Sequence, residues 1–122
     1  MGTFYTPIAV GDPQRERFEE LQALVDTGAT WTWVPREVLE RLGHRPTLKR
    51  QLRTADNRII EREAAEVPVR LGDESLHTLC IFGDEGSATL LGATTMEVFG
   101  VAPDPVNQRL VPVVGLLMTI LL

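Results

Sequence analysis

The stretch Ala23-Leu24-Val25-Asp26-Thr27-Gly28-Ala29-Thr30 places an acid directly after an apolar run and directly before a hydroxyl and a glycine. An apolar approach of this kind carries a strand into a core, so the Asp26 carboxylate should stand at a buried strand end, partly stripped of water. Thr27 can hydrogen-bond neighbouring backbone, and Gly28 lets another stretch of chain come close. A carboxylate so placed can hold or transfer a proton, the work of a general acid or base. The same tripeptide also makes a plain Asx or ST turn at a strand end, and three residues alone leave both readings open. No second Asp-Thr-Gly or Asp-Ser-Gly occurs, so one chain supplies one such acid.

The other reactive residue types offer less. His44 and His77 are the only histidines; His44 follows a helix stop and reads as surface, and His77 has no acid or cysteine at ligand spacing, so no metal site is expected. A Ser/His/Asp arrangement would need Ser75 or Ser87, both in loop contexts without a nucleophile elbow. The Asp-Thr-Gly also lacks the lysine that phosphorylating ATPases carry after their aspartate. Cys80 lies in the apolar run Leu79-Cys80-Ile81-Phe82 and reads as a buried small hydrophobe. Trp31 and Trp33, two apart, read as core and sheet face rather than a ligand cage, and Asp84 and Glu85 as a solvated loop. No cofactor is expected.

The elements that must position Asp26 are mostly short strands. Residues 3–10 are extended in character and end at the turn signal Gly11-Asp12-Pro13. Residues 15–24 are ambiguous, because Phe18, Leu21 and Leu24 fit a helical spacing yet the segment runs straight into Asp26. Residues 30–34 alternate and are rich in aromatic and β-branched types, so they read as strand. Residues 35–42 form the clearest helix, with Pro35 suited to a first helical position and Gly43 to a left-handed stop. Residues 52–54 and 59–60 flank turn-type residues 55–58, a hairpin. Val67, Val69 and Leu71 alternate with Glu66, Pro68 and Arg70 as a half-buried strand, in which Pro68 favours a sheet edge or a bulge. Residues 72–75 turn the chain into a strand at 76–82. A short strand at 88–91, a brief helix at about 94–99 closed by Gly100, and a hairpin pairing 101–102 with 110–114 complete one mainly-β domain over residues 1–122. No internal repeat, linker or low-complexity tract interrupts it.

Composition bounds the rest. With 122 residues, 43% hydrophobic and 24% charged, the chain has the make-up of one globular domain. A net charge of −5 does not favour a nucleic-acid partner. A single cysteine cannot form an internal disulfide, no secretory leader is legible at residues 1–5, and a reducing, cytoplasmic location is expected. Residues 110–122 carry no charge, but Pro112 and Gly115 interrupt them and about 20 apolar residues are needed to span a membrane. A buried strand or subunit contact is the expected use of this run, with residues 115–122 as a candidate tail.

With Asp26-Thr27-Gly28-Ala29 behind an apolar strand, and with Leu90-Leu91-Gly92 ahead of a short helix, the chain resembles the retropepsins, the retroviral-type aspartic peptidases. The resemblance covers roughly residues 3–114. It is closer to cellular and bacterial single-domain members than to viral ones; the helix at 35–42 and the hairpin after Gly100 are similar to those of the retropepsin domain of the DNA-damage-inducible ubiquitin-shuttle proteins. The resemblance implies a closed β-barrel, with Asp26 as the catalytic aspartate. It implies that Thr27 reaches across a dimer axis, that Gly28 and Ala29 line a substrate cleft, and that Gly92 packs behind the catalytic loop. The 64-residue separation of Asp26 and Leu90 leaves room for the family's flap hairpin, with Ala55, Asp56 and Asn57 at or near its tip by hairpin position. Terminal strands commonly build the family's dimer, which points to Leu110, Val111 and Val113.

Three departures stand out. Where viral members pair an acid after Asp-Thr-Gly-Ala with an Arg after the later glycine, this chain has Thr30 and Ala93, so both partners are missing together. Residues 50–61 contain no glycine, whereas viral flaps are glycine-rich. The implied activity is hydrolysis of peptide bonds by a water activated between two aspartates, one from each subunit of a homodimer. The expected partners are therefore a second copy and a peptide or protein substrate. The rival reading is a retropepsin-fold dimerisation or peptide-binding module that does not cleave.

Overall fold

The computed structural model describes residues 4–119 and resolves the ambiguous segment first. Strand β1 (Tyr5–Gly11) runs antiparallel to β2 (Phe18–Val25), with Tyr5 opposite Leu24 and Gly11 opposite Phe18. The helical spacing of Phe18, Leu21 and Leu24 is overridden because Ala23 and Val25 are buried and Leu21 packs against the same core. A period of two puts Leu21, Ala23 and Val25 on one face, which a helix would scatter. Phe18 sits outside that row, under the Arg70 guanidinium, 4.3 Å from its ring centre.

After Asp26 the chain loops to β3 (Thr32–Pro35) and enters helix α1 (Arg36–Arg41). Pro35 caps the helix rather than occupying its first turn, and Gly43 takes the left-handed conformation, φ +92°, that stops it. Val38, Leu39 and Leu42 bury one face of this segment in the core. His44 is the correction here. It is only 7% exposed, and its Nε2 lies 2.7 Å from the Gly11 carbonyl oxygen. A carbonyl only accepts, so that nitrogen carries the proton. The left-handed turn at Gly43 swings the ring back under the β1–β2 connection instead of out to water.

Strand β4 (Leu48–Arg53) and the first part of β5 (Ile59–Leu71) form a projecting hairpin, with Leu48 opposite Ala64 and Arg53 opposite Ile59. From Ala64 onward β5 pairs instead with β6 (Glu74–Gly83), and at Val69 and Arg70 also with β1. Pro68 is buried inside this long strand, with Val67 and Val69 also buried, so the strict alternation expected there does not hold. It falls in the stretch where β5 has left β4 and not yet met β1, the place in a central strand where a missing N–H costs least.

Strand β7 (Leu90–Leu91) is shorter than the sequence suggests. It lies between β2, which it parallels, and β3, to which it is antiparallel. Strand β3 in turn parallels β6. The pairings therefore run β1–β2–β7–β3–β6–β5 and back to β1, a ring closed around the core, with β4 attached outside it. Closure leaves the ring without a free edge. Helix α2 (Ala93–Phe99) follows β7, ends at the left-handed Gly100 and buries Thr95, Met96 and Phe99. A separate hairpin, β8 (Val101–Asp104) with β9 (Arg109–Pro112), closes the regular structure. Residues 113–119 lie beyond the last strand and are exposed. No described helix is long and apolar enough to cross a membrane. Thr3, the first residue of the expected opening strand, and residues 120–122 of the candidate tail lie outside the described residues.

Candidate active site

Asp26 follows the last residue of β2, at the point where β7 passes alongside. Val25 is buried and paired with Leu91, and the Asp26 N–H donates to the Leu91 carbonyl at 3.0 Å. The carboxylate is half-buried; its Oδ1 accepts the Gly28 N–H at 2.9 Å, and the Asp26 carbonyl accepts the Ala29 N–H at 3.1 Å. The tripeptide is thus a turn of Asx type, and it presents the acid to a cleft. One carboxylate oxygen is held by a backbone donor. Thr27 and Gly28 are exposed at the surface of this single chain.

The second sequence element lies where its spacing suggests. Gly92 packs so tightly behind the 26–31 loop that a Cβ there would lie 2.5 Å from the Trp31 carbonyl oxygen and 2.8 Å from the Thr32 nitrogen. Ala93 N–H donates to Ala29 O at 2.8 Å and Thr94 N–H to Thr30 O at 2.9 Å. Backbone bonds therefore join the two stretches at the positions where viral relatives place an ion pair.

The cleft has a volume of about 500 Å³ and opens between the 26–31 loop, β3 and the β4–β5 hairpin. It is lined by Asp26, Gly28, Ala29, Thr30 and Trp31 of the loop, Trp33 of β3, residues 51–55 and Ile60 of the hairpin, and Leu90. Five consecutive residues of the hairpin face it, although successive side chains of a strand point to opposite sheet faces. The hairpin therefore turns its edge to the cleft.

The expected flap residues divide. Ala55 lines the cleft, whereas Asp56 and Asn57 do not; they organise the hairpin tip. The Thr54 hydroxyl bonds the Asp56 carboxylate, Arg58 Nε donates to Asp56 Oδ2 at 2.8 Å, and Arg53 donates to Asn57 Oδ1 at 2.7 Å. The Thr54 hydroxyl and the Arg58 guanidinium hold the Asp56 carboxyl below the ordinary aspartate range. Asn57 supplies the left-handed residue, φ +67°, that a glycine would otherwise provide. The glycine-free tip is thus tied by side chains. If the hairpin covers a bound peptide, hydrogen exchange in residues 52–60 should slow when a peptide inhibitor is added; equal exchange in both states would count against a covering role.

The two tryptophans stand on a sheet face, as their spacing suggests, and that face lines the cleft. Both are half-buried and form a wall of the cleft. Trp33 is held from behind by its Nε1–H bond to Ser87 Oγ at 3.0 Å, and the Arg50 guanidinium sits 5.8 Å from the Trp31 ring. The signal available in the sequence was their spacing of two, just beyond the Asp26–Ala29 turn, which places both on the face that β3 turns to the cleft. Cys80 is fully buried, and burial pushes its thiol up to about 12, so it stays protonated and unreactive near neutrality. Among the described residues no group of three or more His, Cys, Asp or Glu gathers as a metal site. Of the residues expected at a subunit contact, Leu110 packs against the core, Val111 is half-buried opposite Ala102, and Val113 is exposed with its N–H on Gly100 O at 2.9 Å.

The family model of the gag-polyprotein putative aspartyl proteases matches residues 18–97, a span that includes β2, Asp26, the hairpin and Gly92. The chain belongs to this retropepsin-like aspartyl protease family. Among solved structures it is similar to the crystal structure of the retroviral protease-like domain of Ddi1 from Leishmania major. That match has a TM-score of 0.59 and 16% sequence identity over 92% of this chain and 89% of that one, and it speaks for the fold. A comparison with curated proteins found no match. The resemblance read from residues 23–29 and 90–92 is borne out at the level of family and mainly-β fold.

Proposed function

We propose that this chain is an aspartic endopeptidase that works as a homodimer, with Asp26 from each subunit forming the catalytic pair. The observation that carries the reading is that Asp26 lines a cleft, held by the Gly28 N–H, and is the chain's single acid in an Asp-Thr/Ser-Gly setting. Peptide hydrolysis needs a base to activate water and an acid to protonate the reacting group. Two nearby carboxylates share one proton, as is general for aspartic proteases, and so fill both roles. One takes a proton from water while the other donates to the substrate carbonyl oxygen. A two-fold axis beside the exposed Thr27 and Gly28 would supply the second carboxylate. Gly28, Ala29 and Ala55 would then contact an extended peptide, and Asp56 and Asn57 would shape the hairpin over it.

The test has two arms. Concentrated protein is incubated with a diverse peptide mixture, with and without a statine-type mimic of the tetrahedral intermediate. Cleavage blocked by the mimic supports the reading; mimic or peptide binding without cleavage favours the non-cleaving module, to which the tied, glycine-free hairpin tip lends some weight. Specific activity should also rise with protein concentration over the range in which sedimentation shows monomers associating. Full activity from a species shown to be a monomer would overturn the two-chain site. We place the subunit contact on Leu110, Val111 and Val113 with Thr27, so Val111→Asp and Val113→Asp should each weaken the dimer. A stable dimer carrying both substitutions would put the interface elsewhere.

A further inference from the structure

We propose that Thr32 is a positioning residue for Asp26, acting through the peptide bond between Leu91 and Gly92; the proposal rests on the peptidase reading above. Thr32 lies on β3 between Trp31 and Trp33, so it points away from the cleft and is fully buried. Its Oγ1 accepts the Gly92 N–H at 3.0 Å. The other end of the same peptide unit, the Leu91 carbonyl, accepts the Asp26 N–H at 3.0 Å. A trans peptide is a rigid plane whose C=O and N–H point in opposite directions. The plane is therefore gripped from both sides, by the Asp26 backbone and by the Thr32 hydroxyl, and its tilt sets where the Asp26 backbone sits.

The grip has an anchor. An N–H can only donate, so the Gly92 amide fixes the direction of every bond behind it. The Thr32 hydroxyl accepts from Gly92 and donates to Thr95 Oγ1 at 2.6 Å; Thr95 donates to Thr78 Oγ1 at 3.2 Å; Thr78 is left facing Cys80 Sγ at 3.9 Å. All three threonines are buried. Thr78 and Cys80 belong to β6, which is paired on one side with β5 and on the other with β3. The row thus ties the loop-supporting peptide to a strand of the barrel that is paired on both sides. Valine would fill each threonine site with the same shape and no polar atom to satisfy. Three hydroxyls in series are explained by the buried donor at their head, the N–H of the Gly92 that precedes α2.

The experiment compares Thr32→Val and Thr32→Ser in the full chain, reading kcat, KM and amide exchange. For Thr32→Val, kcat should fall about tenfold while KM stays within about twofold, because the lost bond acts on the reacting group rather than on peptide binding. Thr32→Ser, which keeps the hydroxyl, should recover kcat to within about threefold of the parent. Exchange at the Asp26 and Gly92 amides should quicken about tenfold in Thr32→Val, with β5 and β6 unchanged. Parental kcat and parental exchange at those amides would overturn the proposal. Faster exchange spread evenly over the barrel would also overturn it, since that marks general stability. If Thr32→Val does not fold, Thr32→Ala, which removes the same acceptor of the Gly92 N–H with less bulk, takes its place. Local quickening at the same two amides then supports the grip, and none overturns it. If the parent protein cleaves nothing, the peptidase reading fails on its own, and the exchange arm still decides whether Thr32 holds the Leu91–Gly92 peptide.

Discussion

Asp26→Asn should fold as the parent does and lose peptide cleavage by about 10²–10⁴-fold, the range attached to a positioned acid or base. Retention of the fold follows from the local bonding. The Asp26 oxygen that accepts the Gly28 N–H has a direct counterpart in the asparagine amide oxygen. The backbone bonds from Asp26 to Leu91 and from Ala29 to Asp26 do not involve the side chain. The position is half-buried rather than sealed, so a neutral group is accommodated, and a change in stability within about 1 kcal/mol is expected. Loss of cleavage follows from the chemistry, since an amide can neither take a proton from water nor hold one for its partner. In the proposed homodimer the substitution is carried twice, so that site would keep no intact Asp26 carboxylate. Urea melts, sedimentation and a peptide assay on the same preparation separate these effects. Unchanged turnover in the folded mutant would remove Asp26 from the mechanism, and loss of the dimer would give the carboxylate a structural role instead.

How far the sequence carries the fold can be seen in particular residues. Asp26, the helix stops at Gly43 and Gly100, and the pairing of 101–102 with residues near 111 follow from local chemistry, because caps, turns and β-branched alternation act over a few residues. The ambiguity at 15–24 could not be settled locally. What decides it is the burial of Ala23 and Val25 against strands that arrive much later in the chain. His44 is buried against the surface expectation for a related reason: the Gly11 carbonyl that captures it lies 33 residues earlier. Pro68 is tolerated inside a long strand only because β4 and β1 leave a gap between them, a matter of register. At the site, the acid and the supporting Gly92 were legible because each sits in a short pattern. The wall of Trp31 and Trp33 and the row of Thr32, Thr95 and Thr78 were not, since which face of β3 meets the cleft and which meets the core depends on the closed ring. The alternation put the tryptophans on one face and Thr32 on the other without saying which was which.

Gly92→Ala should remove most activity and much of the stability. A methyl at this position would meet backbone, not a side chain that can swing aside: the Trp31 carbonyl oxygen at 2.5 Å and the Thr32 nitrogen at 2.8 Å. Relief requires that either the 26–31 loop or the β7–α2 junction move. The junction is pinned by the Ala93-to-Ala29 and Thr94-to-Thr30 backbone bonds and by the Thr32 hydroxyl on the Gly92 N–H. Overpacking in a rigid core costs about 1–3 kcal/mol, and a backbone obstacle with three such restraints belongs at the upper end. Activity should suffer more than stability, because the same shift displaces Asp26, and a misplacement of about 1 Å in a catalytic group costs on the order of 10²-fold. Gly115→Ala is the matched control: nothing lies within 4 Å of its added methyl, and a change within about 0.5 kcal/mol with full activity is expected. Denaturant unfolding of both variants, with cleavage assayed at equal dimer occupancy, makes the comparison. A Gly92→Ala protein as stable and as active as Gly115→Ala would mean that the loop behind Asp26 yields freely, and the close approach of Gly92 to Trp31 would then have no part in holding the site.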